Sequence, residues 1–381
     1  MAGAKDSNFK EIISPFLKAK MAEALDNYGE ESREYQTLSR QYIKNPLENY
    51  IREEERRRHY ESEMNIMYGN RPLVGVERLY RRTILVEPTT VCAAHCRWCL
   101  RGQYPVNTMQ KEDIERAARY MASDDVKEDL NEVLITGGDP LMSLPLLKYT
   151  IEQIAESAPN IKIVRIGSRV PFHAPERIND AMLDMLASFR QRFRFELGIN
   201  VNHPIEFWPE SVQSLKRLQN VGFYIYNQNP LLKGVNDDFE TLIEFYELLR
   251  ENGIEAHYLF HAIPMRGMSH HRTSLQRGVD LCNQISSCGE FSGRAKPRYA
   301  VLSDIGKIVI YHDTVIDKRE SDNTLLLKSG FKIQDRIKWN PSWKKPESVE
   351  VDEDGTMYTW YSDGTDETIE ELQGRMEKLA S

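Results

Sequence analysis

The feature that most constrains the fold is an alternation of short apolar runs with amphipathic segments between residues 83 and 275. The strand-like runs are TILVEPT (83–89), EVLITGG (132–138), IKIVRIGSR (161–169), RFELGINVN (194–202), FYIYNQNP (223–230) and EAHYLFHAIPM (255–265). Segments with helical spacing, such as KEDIERAARYMASD, lie between them. Six such repeats predict an α/β fold with a parallel sheet and helical crossovers. Because a complete barrel of this kind has eight repeats, we expect a partial (β/α)6 TIM-like barrel, with an open sheet as the alternative.

The regions on either side of the predicted barrel do not show this alternation of apolar and amphipathic segments. Residues 1–82 are polar, and apolar residues recur there at helical spacing only in places, so we predict an N-terminal helical region. Its charged run IREEERRRHYESEM mixes acids with bases, which is typical of a solvated helix face. Residues 276–381 are predicted to form a small C-terminal region. It would contain a hairpin, with strands near 298–302 and 307–311, and a polar helix over 366–380.

The composition excludes several function classes. The 381-residue chain has a formal net charge of −8, which argues against nucleic-acid binding. It has no run of 18 apolar residues that could span a membrane, and its N-terminus lacks the apolar stretch of a signal peptide. Its five cysteines are too few and too clustered for a secreted disulfide framework. We therefore expect a cytoplasmic protein that contacts neither nucleic acid nor membrane.

Polar clusters follow the strand-like runs at their carboxyl ends. Three cysteines follow the first run, and the later runs end in or lead to the clusters 137–139, 165–169, 200–203, 227–229 and 265–267. In parallel α/β architectures, ligands bind at the carboxyl ends of the strands. The six clusters are therefore predicted to converge on a single mouth.

The segment PTTVCAAHCRWCLRGQYP places Cys92, Cys96 and Cys99 within eight residues. A disulfide uses two cysteines, and a closed zinc site uses four ligands. Three thiolates can hold three irons of a four-iron cluster and leave the fourth iron for a small molecule. A zinc-binding module remains an alternative, with His95 or one of two distant cysteines, Cys282 and Cys288, as the fourth ligand.

This cysteine spacing after a first strand resembles the radical S-adenosylmethionine (SAM) family. The resemblance implies a [4Fe-4S] cluster whose open iron chelates the methionyl group of SAM, and reductive cleavage of SAM to a 5′-deoxyadenosyl radical. It also implies that Trp98 packs near the adenine and that the GGD segment 137–139 meets the methionyl amine. Glycines permit a close approach of the backbone to a ligand.

The chain resembles one branch of that family over about residues 70–312. The motifs ITGGDPL, IVRIGSRVP, NHPIE, NQNPLLKGVND and MRGMSHHRT occur in the order found in the lysine 2,3-aminomutase family. The resemblance implies a pyridoxal 5′-phosphate cofactor that holds the substrate amine as an imine. The adenosyl radical then abstracts a β hydrogen, and the nitrogen migrates to the β carbon. The predicted activity is therefore that of an amino-acid 2,3-aminomutase, an isomerase.

The resemblance also implies roles for individual residues. Lys296, before Pro297 in FSGRAKPRY, would form the imine with pyridoxal phosphate, and Arg101 would clamp the substrate carboxylate. The cysteines would be the metal ligands. The cofactor-binding residues implied are Trp98, Gly137, Gly138, Asp139, Arg165, Ser168, Arg169, Asn202, His203, Gln228, Lys296, Arg81 and Arg82.

Two departures from the branch bear on the substrate. Lysine-acting members hold the distal ammonium with two aspartates, and here one position falls near Ile263 while the other is approximated only by Glu290. Lysine is therefore not the expected substrate, and Arg266 suggests an acidic or polar distal group, while Glu290 leaves a basic substrate open as an alternative. A different radical step on the same scaffold, with or without pyridoxal phosphate, is the alternative enzyme. The implied partners are a small amino acid and an electron donor such as flavodoxin or ferredoxin, and a homo-oligomer remains open.

Overall fold

The computed structural model describes residues 9–50, 65–100 and 107–380. The helices of this part are α1 (Pro15–Tyr28), α2 (Arg33–Tyr42), α3 (Lys111–Met121), α4 (Leu144–Ser157), α5 (Val170–His173), α6 (Asp180–Ser188), α7 (Pro209–Asn220), α8 (Phe239–Glu251), α9 (Leu275–Ser287), α10 (Ile333–Trp339) and α11 (Ile369–Ala380). The strands are β1 (Asn65–Tyr68), β2 (Arg71–Glu77), β3 (Thr83–Thr89), β4 (Glu132–Gly137), β5 (Ile163–Gly167), β6 (Arg194–Ile199), β7 (Tyr224–Leu231), β8 (Glu255–His261), β9 (Arg298–Ser303), β10 (Gly306–Val309), β11 (Val315–Arg319), β12 (Thr324–Lys332), β13 (Val349–Val351) and β14 (Thr356–Ser362).

The main sheet contains the strands β1 to β10, and their order in the sheet follows their order in the chain. The strands from β3 to β9 are parallel, and each neighbouring pair is joined by a segment that contains a helix. The six strands predicted from the apolar runs are β3 to β8, so the predicted α/β class and parallel sheet are confirmed. Alternate residues of these strands, such as Val164 and Ile166 of β5, point to one face of the sheet and are fully buried in the core. The helices pack on this apolar face.

Two parts of the architecture exceed the prediction, and a third agrees with it. A seventh parallel strand, β9, follows α9, so the parallel set has one strand more than the six units predicted. The predicted hairpin is present as β9 and β10, which pair antiparallel. The tail is not only turns and a helix, because β11 to β14 form a separate four-stranded antiparallel sheet.

The N-terminal region is not wholly helical, which corrects the prediction for residues 1–82. Helices α1 and α2 are present, but β1 and β2 form an antiparallel hairpin at the edge of the main sheet. Tyr68 pairs with Arg71 across a two-residue turn in which Gly69 has a φ of +63°. The dipeptide Gly69–Asn70 is a hairpin signal, and the alternation in RPLVGVE is typical of a strand. The dense charged run nearby lies outside the described residues.

The described helices are all too short or too polar to cross a membrane. Helices α1 and α2 instead pack on the carboxyl edge of the parallel strands. There, Leu17, Leu38 and Tyr42 form one buried apolar cluster with Ala94 and Cys96. The N-terminal helices therefore support the loop that carries the cysteines.

Candidate active site

The cysteines lie in the segment that follows β3, which we call the cysteine loop (residues 90–100). Cys96 is buried, and Cys92 and Cys99 are half-buried. All three line a cavity of about 370 Å³ at the carboxyl edge of the parallel strands, which we call the mouth. Burial raises the pKa of Cys92, as does the nearby carboxylate of Asp139. Because a metal ligand must be a thiolate, binding of iron at this site would release protons.

The GGD segment at the end of β4 lies directly against the cysteine loop. The amide of Gly138 donates to the carbonyl of Thr89 at 2.7 Å, and the amide of Asp139 donates to the carbonyl of Val91 at 2.9 Å. A Cβ atom added to Gly138 would lie 2.3 Å from the carbonyl carbon of Thr90. The glycine is therefore required for packing on the loop, in addition to any close approach to a ligand.

Asp139 holds the start of the loop that follows β5. Its carboxylate accepts hydrogen bonds from the Ser168 hydroxyl at 2.8 Å, from the amides of Arg169 and Val170 at 2.7 and 3.0 Å, and from the amide of Leu141 at 3.1 Å. These contacts tie the end of β4 to the end of β5. The side chain fixes the shape of the mouth.

Arg169 connects the cysteine loop to the rest of the mouth. Its guanidinium donates to the sulfur of Cys96 at 3.0 Å and to the carboxylate of Glu206 at 2.5 Å. It also lies over the ring of Trp98, 5.3 Å from the ring centre. Burial raises the pKa of Cys96, and the guanidinium of Arg169 opposes this shift because a cation held against a cysteine sulfur favours the thiolate form.

Four residues that line the mouth each have a buried polar atom without a hydrogen-bond partner in the described structure: Trp98 Nε1, Arg169 Nε, Asn200 Oδ1 and His271 Nε2. Buried polar atoms normally have partners, because an unsatisfied one costs about 1–3 kcal/mol. These atoms therefore indicate that the mouth is built to receive a polar ligand.

The comparison with protein families agrees with this geometry. The radical SAM superfamily matches residues 86–264, a range that begins in β3 and ends just beyond β8. The chain is similar to this superfamily over that range.

Three curated relatives that resemble this chain are named as aminomutases. The L-lysine 2,3-aminomutase of Methanococcus maripaludis is 31% identical over 234 residues, which cover 60% of this chain and 52% of the relative. The L-lysine 2,3-aminomutase of Clostridium subterminale is 30% identical over 234 residues, 60% of this chain and 54% of the relative. The glutamate 2,3-aminomutase of Clostridioides difficile is 29% identical over 239 residues, 62% of this chain and 54% of the relative. The chain spans between 52% and 65% of the length of the curated relatives that it matches.

The radical SAM superfamily uses a [4Fe-4S] cluster and SAM, and the cysteines of the mouth fit the ligands that such a cluster needs. Three cysteines of one loop supply three ligands, as a cluster with one open iron requires. No three His, Cys, Asp or Glu side chains of the described part stand close enough together to hold a single metal ion. Three corners of a cluster do not need such a common centre, because each sulfur binds its own iron.

The structure brings most of the predicted site residues to the mouth. Those that line it are Cys92, Cys96, Cys99, Trp98, Gly137, Gly138, Asp139, Ser168, Arg169 and Gln228. Arg101 lies outside the described residues, so its role stays a prediction. Asn202 and His203 do not line the mouth. Asn202 is fully buried against Gln41 of α2, and the His203 side chain caps a short helical turn by accepting from the amide of Ile205.

The structure does not bring Lys296 to the mouth, which corrects its assignment from sequence. Lys296 precedes β9, and β9 is parallel to β8, so the lysine lies at the amino edge of the sheet. Its ammonium donates to the carbonyl of Ser286, on the outer helix α9, at 2.7 Å. The motif gave the residue type, but strand direction decides at which edge the residue lies.

The predicted cofactor-binding residues Arg81 and Arg82 are also at the amino edge. Arg81 and Arg82 precede β3 and are exposed. Arg81 pairs with Asp129 at 2.6 Å, and Arg82 donates to the carbonyls of Glu128 and Asp129. Neither lines the mouth.

Arg165 points into the sheet interior below the mouth. It donates to Glu132 at 2.6 Å and to the hydroxyl of Tyr226 at 2.6 Å, and it lies 3.7 Å from Glu196. We call these four residues the floor layer. The positive charge of Arg165 is paired there with two carboxylates, and Arg165 does not line the mouth.

Lys307 is a charged residue that lines the mouth and that was not among the site residues predicted from the sequence. It lies on β10 and pairs with Leu302 of β9, and both residues line the mouth. Burial, reinforced by the charge of Arg165, lowers the pKa of Lys307 to about 8. The available signal was the hairpin itself, because its second strand runs antiparallel and its turn lies at the carboxyl edge.

Proposed function

We propose that this protein is a radical SAM enzyme that moves the α-amino group of an amino acid to its β carbon, as a 2,3-aminomutase. The observation that carries the proposal is the convergence of the three cysteines and the GGD segment on one mouth, in a chain whose curated relatives are aminomutases. The proposed cofactors are a [4Fe-4S] cluster, SAM and pyridoxal phosphate. A flavodoxin or ferredoxin as electron donor and a cytoplasmic location stay predictions, as does any homo-oligomer.

The residues of the mouth support this chemistry in distinct ways. When bound, the cluster and SAM supply a carbon radical that abstracts hydrogen. Cys92, Cys96 and Cys99 would hold the irons, and Arg169 would stabilise the negative charge on the Cys96 sulfur. Trp98 and Asn200 present their unpaired polar atoms to the ligand. Helices α1 and α2 cover the cysteine loop and limit the access of water.

The lining of the mouth favours a substrate other than lysine. Asp139 is the only carboxylate among the described lining residues, and four hydrogen bonds from its neighbours already occupy it. Ile263, at the position where an aspartate was expected, lines the mouth and cannot pair with a cation. Glu290 and Arg266 are exposed and do not line it. A distal ammonium would lose its hydration without gaining a charged partner, so we propose a neutral or acidic side chain.

Arg101 is proposed to bind the substrate carboxylate. An Arg101→Ala variant should raise the KM of the amino acid by about 10- to 100-fold, because a charged hydrogen bond is lost. Reductive cleavage of SAM without substrate should persist in this variant. An unchanged KM would assign the carboxylate to another residue.

The placement of Lys296 favours a second candidate, a different radical reaction on the same scaffold that does not use pyridoxal phosphate. The two candidates differ in whether the purified protein forms an imine with added pyridoxal phosphate. They share the cluster and SAM.

The proposal is tested by anaerobic incubation of the reconstituted, reduced protein with SAM, pyridoxal phosphate and pooled amino acids. The expected products are 5′-deoxyadenosine and one β-amino acid, identified by mass and retention time. Transfer of deuterium from one labelled amino acid into deoxyadenosine would identify the substrate. Cys96→Ala is the control that should yield neither product. Deoxyadenosine without a β-amino acid would favour the second candidate, and the absence of both would refute the radical function.

A further inference from the structure

The proposed function requires an amine that can hold an aldehyde cofactor inside the mouth. Lys307 is the only lysine among the described lining residues. Lys296, which the sequence motif favoured, contacts the outer helix at the opposite edge of the sheet. A lysine that bonds the outer helix cannot hold an aldehyde close to the radical source.

The β9–β10 hairpin fixes the direction in which Lys307 points. Its neighbours on β10, Gly306 and Ile308, are buried, and Ile308 belongs to the main apolar core. Because side chains alternate along a strand, Lys307 projects from the opposite face, into the mouth. The lysine is therefore held by a strand rather than by a mobile surface loop.

The surroundings of the Lys307 ammonium suit a planar cofactor. The nitrogen lies 5.4 Å from the ring centre of Tyr258 and 5.5 Å from that of Phe260. Its hydrogen bond in the described part of the chain goes to the Gln228 side-chain oxygen, at 3.3 Å. A neutral amide holds the amine in position without pairing its charge, so the amine remains exchangeable for a covalent partner.

Electrostatics reinforces the geometry. Burial and the positive charge of Arg165 lower the pKa of Lys307 to about 8. A substantial fraction of the side chain is then a neutral amine near physiological pH, which is the form that attacks carbonyl carbon.

We propose that Lys307, in place of Lys296, forms the imine with the aldehyde of pyridoxal phosphate in this protein. The neutral nitrogen of Lys307 attacks the aldehyde carbon, the C–N bond forms, and the oxygen leaves as water after proton transfer. No electrons are gained or lost. The inference rests on the proposed function, because it assigns the residue that the cofactor would need.

The experiment is reduction of the protein with borohydride in the presence of pyridoxal phosphate, followed by trypsin digestion and mass spectrometry. Hydride adds to the imine carbon and a proton to nitrogen, which leaves a stable phosphopyridoxyl lysine. Trypsin does not cleave at a modified lysine or before proline. A label on Lys307 therefore appears on the uncleaved peptide 299–318, and a label on Lys296 appears on the peptide 295–298. We expect the label on 299–318.

Two matched variants separate an imine from a purely electrostatic role. Lys307→Arg keeps the charge but cannot form the imine, so the phosphopyridoxyl label should be lost, whereas Lys296→Arg should retain it. The rate of labelling should rise as pH increases through about 8, because only the neutral amine reacts.

Each outcome tests a different part of the proposal. A label on 295–298 would overturn the assignment of Lys307 and leave the aminomutase function intact. No label on either peptide, with SAM still cleaved by the reduced cluster, would overturn both the assignment and the use of pyridoxal phosphate. Circular dichroism and iron content identify a Lys307→Arg protein that has failed to fold, and loss of the label in a second variant, Lys307→Gln, then decides.

Discussion

On the face of the main sheet opposite the helices, two regions are rich in polar side chains: the mouth, at the carboxyl edge, and the floor layer below it. In the floor layer, Arg165 contacts Glu132, Glu196 and Tyr226, and no polar atom of these four side chains is buried without a partner. In the mouth, Trp98, Asn200 and His271 each leave a buried polar atom unsatisfied.

The difference shows which region is built for a ligand. Folding alone favours side chains that satisfy one another, as the floor layer does. Unsatisfied atoms cost stability, and they persist where a ligand completes them. A buried polar side chain therefore stabilises the fold in the floor layer, whereas in the mouth it is available to a ligand. The following substitutions test that distinction.

The largest effect is expected from Cys96→Ala. Loss of one of three ligands should abolish binding of the [4Fe-4S] cluster, measured as iron and sulfide content after anaerobic reconstitution. Cys288 follows the last residue of α9 and does not line the mouth, so Cys288→Ala is the matched control and should keep the cluster. A Cys96→Ala protein with four irons would contradict the assignment.

Glu206→Gln should have the next largest effect. Glu206 is fully buried and accepts hydrogen bonds from Arg169 and from the amide of Asn202. Neutralising it leaves a buried guanidinium without its counter-ion, which should cost about 3 kcal/mol in the free energy of unfolding. Denaturant unfolding measures the loss, and a decrease below about 0.5 kcal/mol would show that Arg169 finds another partner.

Gly138→Ala should destabilise the protein by about 2 kcal/mol, because the new methyl group overlaps the backbone of Thr90. Cluster occupancy should fall in the same variant, since the cysteine loop must move. Gly374→Ala, in α11, meets no atom within 4 Å and should be neutral or slightly stabilising. Equal effects of the two substitutions would exclude a packing role for Gly138.

The smallest effect is expected from Arg165→Met in the floor layer. The pair with Glu132 is partly accessible, so its loss should cost about 1–2 kcal/mol, between the values for exposed and buried pairs. Iron content should stay at the wild-type level, in contrast to the substitutions in the mouth. A loss of cluster in Arg165→Met would show that the two regions are coupled.

Much of the fold could be predicted from the sequence because its signals are local. The alternation of apolar runs with amphipathic segments located β3 to β8, and the run TILVEPT has the same bounds as β3. The hairpin of β1 and β2 was not predicted, because the charged segment that precedes it is typical of a solvated helix face. The cysteine loop and the GGD segment were found because their spacing is specific and they follow strands directly.

The sequence by itself determined a parallel α/β sheet with a three-cysteine loop at the carboxyl end of its first parallel strand, since periodicity and spacing are properties of neighbouring residues. Only the tertiary structure decided which lysine reaches the mouth. Lys296 and Lys307 are separated by one strand and a tight turn, and the direction of β9 carries them to opposite edges of the sheet. Strand direction depends on pairing with distant strands, which no local motif records.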